Sequence, residues 1–123
     1  MQWLLHGNLH PGVADALRAR GDTAHGVDEL GLGPAADRAE ILQAAHVRQW
    51  DILTTDSELA QAPFDGRARF GRSIVFLRRE GGDAEQSDAI DRLFARHKRL
   101  SPGRLYTVTA GRVKVRQLPT GNW

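Results

Sequence analysis

Residues 51–58, with the sequence DILTTDSE, constrain the fold of this chain more than any other stretch. The apolar and β-branched run ILTT predicts a buried strand, and two acids, Asp56 and Glu58, follow at its end. Ligands and catalytic groups gather at the carboxyl ends of strands in an open α/β sheet, because the strands hold the backbone rigid while the loops leave side chains free. The sequence therefore predicts a functional sheet edge at these two acids.

Length and composition limit the class of protein. The chain has 123 residues, no cysteine and a formal net charge of +2 at pH 7. This length predicts one domain over residues 1–123, with a core that needs no disulfide bonds. Disulfides and thiolate metal sites are excluded, which fits a reducing compartment. The apolar run near the N-terminus breaks at His6 and Gly7, too early for a signal peptide or a membrane span, so we expect a cytoplasmic protein with no membrane contact.

Strand and helix patterns alternate along the chain, which is typical of a mainly parallel sheet with helices on its faces. The predicted strands before the last segment are 2–5, 23–27, 52–55 and 73–77, and the predicted long helices are 11–20, 37–49 and 83–100. Asn8 is a candidate cap of the first helix, and the second and third long helices begin with capping pairs, Asp37 with Glu40 and Asp83 with Gln86. These patterns predict an α/β fold.

The last segment alternates from residue 105 to residue 116 around a turn at Ala110 and Gly111, which predicts a C-terminal β-hairpin. Val113 and Val115 are expected to face inward and the basic residues between them outward. The sequence contains no glycine-rich phosphate loop, no GxSxG elbow and no HExxH helix. Common nucleotide-binding and hydrolase motifs are therefore excluded.

Five segments occur in a fixed order across nearly the whole chain: QWLLHGNLHPGVADALRARG, the DELGLG loop followed by ADRAEIL, the TTDSEL run, the SIVFLRR strand and the LYTVTAGRVKVRQLP hairpin. Their order and spacing resemble those of short bacterial PIN-like domain proteins, relatives of the PIN-domain ribonucleases that are toxins of toxin–antitoxin pairs. The resemblance implies a three-layer α/β fold whose clustered acids hold Mg²⁺ or Mn²⁺ and hydrolyse RNA phosphodiester bonds. Carboxylates suit these hard ions, and a bound metal supplies hydroxide and neutralises charge in the transition state.

The resemblance assigns the family's four acidic positions to residues of this chain. The first falls at His6, and the second falls at Glu40, with Asp37 as the alternative. The third falls at Asp56 and the fourth at Glu58, where the family more often has Asp. The resemblance thus implies that Glu40, Asp56 and Glu58 are catalytic and hold the metal.

His6 is the most informative departure from the family pattern. Imidazole favours Zn²⁺, Fe²⁺ or Mn²⁺ over Mg²⁺ and removes one negative charge from the pocket. Gly7 offers no replacement carboxylate. Either the site takes a softer metal through His6, together with His10, or the nuclease activity has been lost. A third interpretation is that His6 is a plain turn residue or a histidine whose hydrogen bonds are satisfied within the structure.

Each acid also has a structural interpretation. Asp56 can cap the turn after its strand, and Glu58 can favour the dipole of a following helix. The capping pair with Asp37 accounts for Glu40 without any metal.

Further candidates surround this predicted pocket. Asn8 and Thr55 are expected to order it through hydrogen bonds. The loop after the acids carries three arginines that are candidates for RNA phosphate contacts or are simply solvated: Arg67, Arg69 and Arg72.

Two functions remain open from the sequence. One is a metal-dependent endoribonuclease acting as the toxin of a toxin–antitoxin pair, for which the retained Asp56 and Glu58 argue. The other is an inactive PIN-like module that binds a protein partner or RNA, for which His6 argues. The resemblance also implies a homodimer and a small helix-turn-helix antitoxin as partners.

Overall fold

The computed structural model describes residues 1–66, 68–78, 83–109 and 112–119. Within them the chain forms six strands and four helices, which confirms the predicted α/β class. The strands are β1 (Gln2–His6), β2 (Thr23–Gly26), β3 (Asp51–Thr54), β4 (Ile74–Leu77), β5 (Arg104–Thr109) and β6 (Arg112–Gln117). The helices are α1 (Pro11–Ala19), α2 (Arg38–Arg48), α3 (Ser57–Gln61) and α4 (Asp83–Arg96), and a 3₁₀ turn spans Val27–Leu30.

All six strands belong to one sheet with the order β2-β1-β3-β4-β5-β6. Neighbouring strands are parallel from β2 to β5, and only β6 is antiparallel to its neighbour. The chain moves outward from β1 to β2 and then returns to the other side of β1 for β3. At such a reversal of strand order the connecting loops diverge and leave a crevice outside the carboxyl ends of the strands. The register pairs Leu5 with Leu53 and His6 with Thr54, so the carboxyl ends of β1 and β3 lie side by side.

The central strands of the sheet are buried on both faces, since successive side chains point to opposite sides and helices cover each side. One face packs on α2 and α3, and the other packs on α1 and α4. Strand residues on the first face include Leu4, Ile52, Ile74 and Leu105, and those on the second include Trp3, Leu53, Val75 and Tyr106. Helices on both faces of a mainly parallel sheet are compatible with a three-layer α/β fold. In the described part of the chain, no helix is long and apolar enough to cross a bilayer.

The predicted helix starts have mixed outcomes. The capping box of α2 is confirmed, since the Glu40 N–H donates to Asp37 Oδ1 over 2.8 Å and the Asp37 N–H donates to Glu40 Oε1 over 3.3 Å. The expectation that Asn8 caps α1 is wrong: His10 precedes the first turn, without a side-chain cap, and Pro11 begins the helix. Gln86 binds the loop between β1 and α1, where its amide accepts from the His10 N–H and donates to the Asn8 carbonyl.

The C-terminal hairpin is confirmed in its two strands, while its predicted turn lies outside the described residues. Val113 is partly buried, as expected, but Val115 is 41% exposed. β6 is the last strand in the sheet order, and five of its six residues are exposed. The alternating pattern therefore predicted the strand correctly and overestimated its burial.

A buried carboxylate joins the amino ends of β3 and β4. Asp51 is 1% exposed and accepts hydrogen bonds from the Ser73 N–H at 3.0 Å and the Ser73 hydroxyl at 2.7 Å. Arg72 Nη2 lies 3.4 Å from the other carboxylate oxygen. A buried charge is tolerated when it is paired and hydrogen-bonded in this way. Arg72, a candidate for RNA phosphate contact, thus has a structural partner in Asp51.

We expect the substitution Asp51→Ala to lower the free energy of unfolding by about 3 kcal/mol, because it leaves the buried N–H and hydroxyl of Ser73 without an acceptor and removes the ion pair of Arg72. Urea denaturation measures the change. The matched control is Asp15→Ala on α1, whose side chain is 78% exposed and which should change stability by less than about 0.5 kcal/mol. Equal losses in the two variants would contradict a structural role for Asp51.

Candidate functional site

The candidate site lies at the carboxyl ends of β1 and β3, where the strand order reverses. His6 ends β1, and its Nδ1 lies 2.8 Å from the hydroxyl of Thr54, the last residue of β3. The same hydroxyl accepts a hydrogen bond from the Asp56 N–H at 2.9 Å. It can donate its own proton to His6 when the neutral ring carries its proton on Nε2. Thr54 therefore links the two strand ends, a role that local sequence patterns did not predict.

Asp56 begins α3 as its N-cap. Its Oδ1 accepts a hydrogen bond from the Glu58 N–H at 3.1 Å, which satisfies one of the free amides at the helix start. The structural interpretation of Asp56 as a cap is therefore present. Its second oxygen, Oδ2, faces another partner.

That partner is Arg38, the first residue of α2. Arg38 Nε donates to Asp56 Oδ2 over 2.7 Å, and Arg38 Nη1 lies 3.1 Å from Glu58 Oε2. The two acids that the resemblance assigns to a metal thus share one guanidinium. A planar guanidinium with several donors suits this bridging geometry better than an ammonium would.

Sequence reasoning missed Arg38, although the chain carries a signal for it. A cation in the first turn of a helix meets the positive end of the helix dipole, which is unfavourable. Its position between Asp37 and Glu40 suggested only a capping box. An arginine placed there needs an acid from elsewhere in the fold, and Asp56 supplies it.

Glu40, the remaining predicted metal ligand, points to a different partner. Its carboxylate accepts from the Asp37 N–H in the capping box, and none of its described contacts is with Asp56 or Glu58. Glu40 and Asp37 instead line a shallow hollow on α2 with Val47. The structure brings His6, Asp56 and Glu58 to one edge and leaves Glu40 on the α2 surface.

The residues as arranged do not fit a Mg²⁺ or Mn²⁺ site. Among the described residues, no group of three or more histidines and acids is placed to hold a metal ion. Two of the three acids of the predicted site, Asp56 and Glu58, are bound by Arg38, whereas these ions need free oxygen ligands in regular geometry. A divalent ion would have to displace the guanidinium from Asp56 and Glu58.

The loop after β1 is fixed against the loop after β3. The Asn8 N–H donates to the Thr55 hydroxyl over 2.8 Å, and the Thr55 N–H donates to the His6 carbonyl over 3.4 Å. Asn8 and Thr55, predicted to order the pocket, are therefore in direct contact, with the backbone of Asn8 as the donor. Gly7, which lies between His6 and Asn8 in the chain, has a φ of +91°, and a Cβ built there would overlap the Thr55 hydroxyl. Position 7 cannot carry a replacement carboxylate without moving this loop.

The predicted RNA contacts are dispersed or not described. Arg67 lies outside the described residues, and Arg69 is exposed. Arg72 contacts Asp51, as given above. His10, considered as a second softer-metal ligand, immediately precedes α1 and its backbone N–H binds Gln86.

Burial and neighbouring charges lower the pKa of two groups of the site, His6 and Asp56. Burial lowers the pKa of His6 below its usual value; the charge of Asp56 works against this, and that of Arg38 adds to it. For Asp56 partial burial raises the pKa, but the hydrogen bonds from Arg38 and the Glu58 amide outweigh it, together with the charges of Arg38 and His6. The pKa of Asp56 is therefore lowered overall. The site favours a neutral imidazole beside an ionised carboxylate.

Comparisons of the chain with models of protein families, with curated proteins and with solved structures found no match.

The lowered pKa of His6 makes stability depend on pH near the usual value for histidine. The folded protein binds this proton less readily than the unfolded chain, so stability is complete above about pH 6.5 and decreases as the pH falls through the pKa of the folded state. We expect His6→Gln to flatten this part of the stability profile, measured by urea denaturation between neutral and mildly acidic pH. Parallel profiles for the two proteins would show that His6 does not contribute.

The close approach at Gly7 predicts a specific cost for any side chain there. Gly7→Ala should lower the free energy of unfolding by more than about 1 kcal/mol, because alanine is strained at positive φ and its Cβ displaces Thr55. The control is Gly21→Ala, at a φ of +89° with nothing within 4 Å of the added Cβ. The difference between the two variants in thermal or urea denaturation measures the overlap alone. A Gly7 variant no less stable than the Gly21 variant would contradict the tight loop contact.

Proposed function

We propose that this chain is a PIN-like domain that has lost metal-dependent RNA hydrolysis and acts as a module for binding a partner protein. One observation carries this proposal: the Arg38 guanidinium bridges Asp56 and Glu58. In a metal-dependent nuclease these acids would be ligands of the ion. Here they serve as anions for a cation that belongs to the chain itself.

The charge balance supports the proposal. Asp56 and Glu58 carry two negative charges and Arg38 one positive charge, so the group is left with about one negative charge. His6 adds none, because its lowered pKa favours the neutral form near neutral pH. A hard divalent ion needs one or two free carboxylates together with waters, and here both carboxylates are already bound by Arg38.

The family part of the proposal is supported by the order of sequence segments and by the mainly parallel sheet with a C-terminal hairpin. Fold alone does not establish function, because one architecture carries many unrelated activities. The loss of hydrolysis is therefore argued from the site and not from the fold. A small helix-turn-helix antitoxin and a second copy of the chain are the partners that the resemblance suggests.

One observation favours the second candidate, a metal-dependent endoribonuclease acting as a toxin. His6 and Asp56 lie at the ends of adjacent parallel strands where the strand order reverses, which is a favoured place for ligands in such sheets. An ion that displaced Arg38 and accepted an imidazole ligand, such as Mn²⁺ or Zn²⁺, would be held by His6, Asp56 and Glu58.

The two candidates differ in what the unmodified protein does with metal and RNA. We expect the natural chain to leave a labelled oligoribonucleotide intact in the presence of Mg²⁺, Mn²⁺ or Zn²⁺. It should also show no saturable Mn²⁺ binding by isothermal titration calorimetry. The double variant His6→Asp with Arg38→Gln restores the missing acid and removes the internal cation, so it should bind Mn²⁺ measurably.

Matched controls make this experiment decisive. Arg18→Gln removes an arginine from α1, where it faces Asp15, and should not create a metal site. Adding Asp56→Asn to the double variant should abolish the acquired binding. RNA cleavage by the natural chain that disappears in Asp56→Asn would reject the proposal and establish the nuclease.

A further inference from the structure

The last strand in the sheet order, β6, forms one edge of the sheet in the part of the chain that the structure describes. It spans Arg112–Gln117 and pairs only with β5 in the described part of the chain. Five of its six residues are exposed. An outermost strand presents backbone N–H and C=O groups on its free side, where a further strand can pair with them.

The two faces of β6 differ sharply in chemistry. Arg112, Lys114 and Arg116 alternate along the strand and share the face of their partners on β5. All three are exposed. Val113 and Val115 lie on the opposite face, where Val113 packs at the border of the core and Val115 is 41% exposed. The strand thus offers a cationic row on one face and an apolar row on the other.

The cationic row is partly held in place. The Arg116 guanidinium stacks over the Phe64 ring, 3.8 Å from its centre, which limits the conformations of a long side chain. Lys114 and Arg116 also border a hollow of about 490 Å³, and Arg78 from the end of β4 borders it as well. Among the described residues that line this hollow, three are cationic and none is acidic. The surface is complementary to a row of negative charges.

We infer that β6 binds an extended acidic segment of a partner protein as a seventh strand of the sheet. Acidic side chains at every second position would lie beside Arg112, Lys114 and Arg116, and β-branched apolar side chains between them would lie beside Val113 and Val115. Backbone hydrogen bonds supply affinity in this mode of recognition, and the alternating side chains supply specificity. The inference names the partner chemistry for the proposed binding function and rests on it.

Other occupants fit this edge less well. Two copies of β6 paired in one continuous sheet would bring cationic side chains of the same face beside each other, which is unfavourable. RNA would meet the cations but has no peptide backbone to continue the sheet, and it would leave Val115 uncovered. Basic residues on an edge strand also prevent aggregation. The experiment must therefore distinguish this protective role from specific binding of an acidic segment.

The inference is tested by fluorescence anisotropy with a labelled short peptide in which glutamate alternates with valine and threonine. We expect saturable binding that weakens with added salt, since the contacts are between exposed charges. Lys114→Glu with Arg116→Glu should weaken this binding at least about tenfold and should bind the same peptide with lysine in place of glutamate. The matched control, Lys98→Glu with Arg99→Glu, makes the same change of net charge at exposed residues after α4 and should bind like the natural chain.

A second measurement keeps the test informative if the β6 variant is destabilised. N-methylation of alternate peptide residues, made in both frames, should abolish binding in the frame whose amides face β6, and binding should slow hydrogen exchange of β6 amides. The inference is overturned if the acidic peptide does not bind, if a peptide of the same composition in scrambled order binds equally well, or if oligouridylate binds and the acidic peptide does not. A failure of peptide binding would not change the conclusion from the metal-binding experiment. RNA cleavage by the natural chain would reject the proposed function without deciding whether β6 binds peptide.

Discussion

The central strands are buried on both faces, and this constraint pushes polar groups to the strand ends. The interior of β3 consists of Ile52 and Leu53, which are fully buried in opposite layers of the core. A polar side chain in either position would lack partners, since both layers are apolar. Asp51 at one end and Asp56 just beyond the other can reach donors from neighbouring segments. The polar side chains of the candidate site therefore lie at the strand ends, because the apolar layers of the core offer them no partners.

An aspartate pairs with an arginine at each end of β3, but the two ion pairs have different consequences. At the amino end, Arg72 and Ser73 enclose Asp51 within the structure. At the carboxyl end, Arg38 joins the first turn of α2 to the first turn of α3 through Asp56, at a partly exposed position. An ion pair there contributes less to stability than a buried one, because solvent screens it. Its importance is that it occupies acids that could otherwise bind a metal ion.

The sequence predicted what depends on local patterns and missed what depends on distant contacts. The strand positions, the cap of α2 at Asp37 and the class of fold follow from periodicity and capping, which act over a few residues. The role of Arg38 depends on an acid 18 positions away, and the link from His6 to Thr54 spans 48 positions. The resemblance and the rule for parallel strand ends predicted that His6, Glu40, Asp56 and Glu58 converge. Glu40 lies apart from the others because its carboxylate accepts from the Asp37 N–H in the capping box. The capping of α1 by Asn8 was wrong because the loop turns toward Thr55 and Gln86 instead of toward the helix.

The buried amide of Gln86 has a consequence for the order of events during synthesis. It is 4% exposed and holds the loop between β1 and α1 through Asn8 and His10, which lie 78 and 76 positions earlier in the chain. A growing polypeptide that has not yet exposed α4 lacks this clamp, and loop closure over such a separation is slow compared with local folding. The edge that carries His6 therefore acquires its final shape only after α4 has left the ribosome.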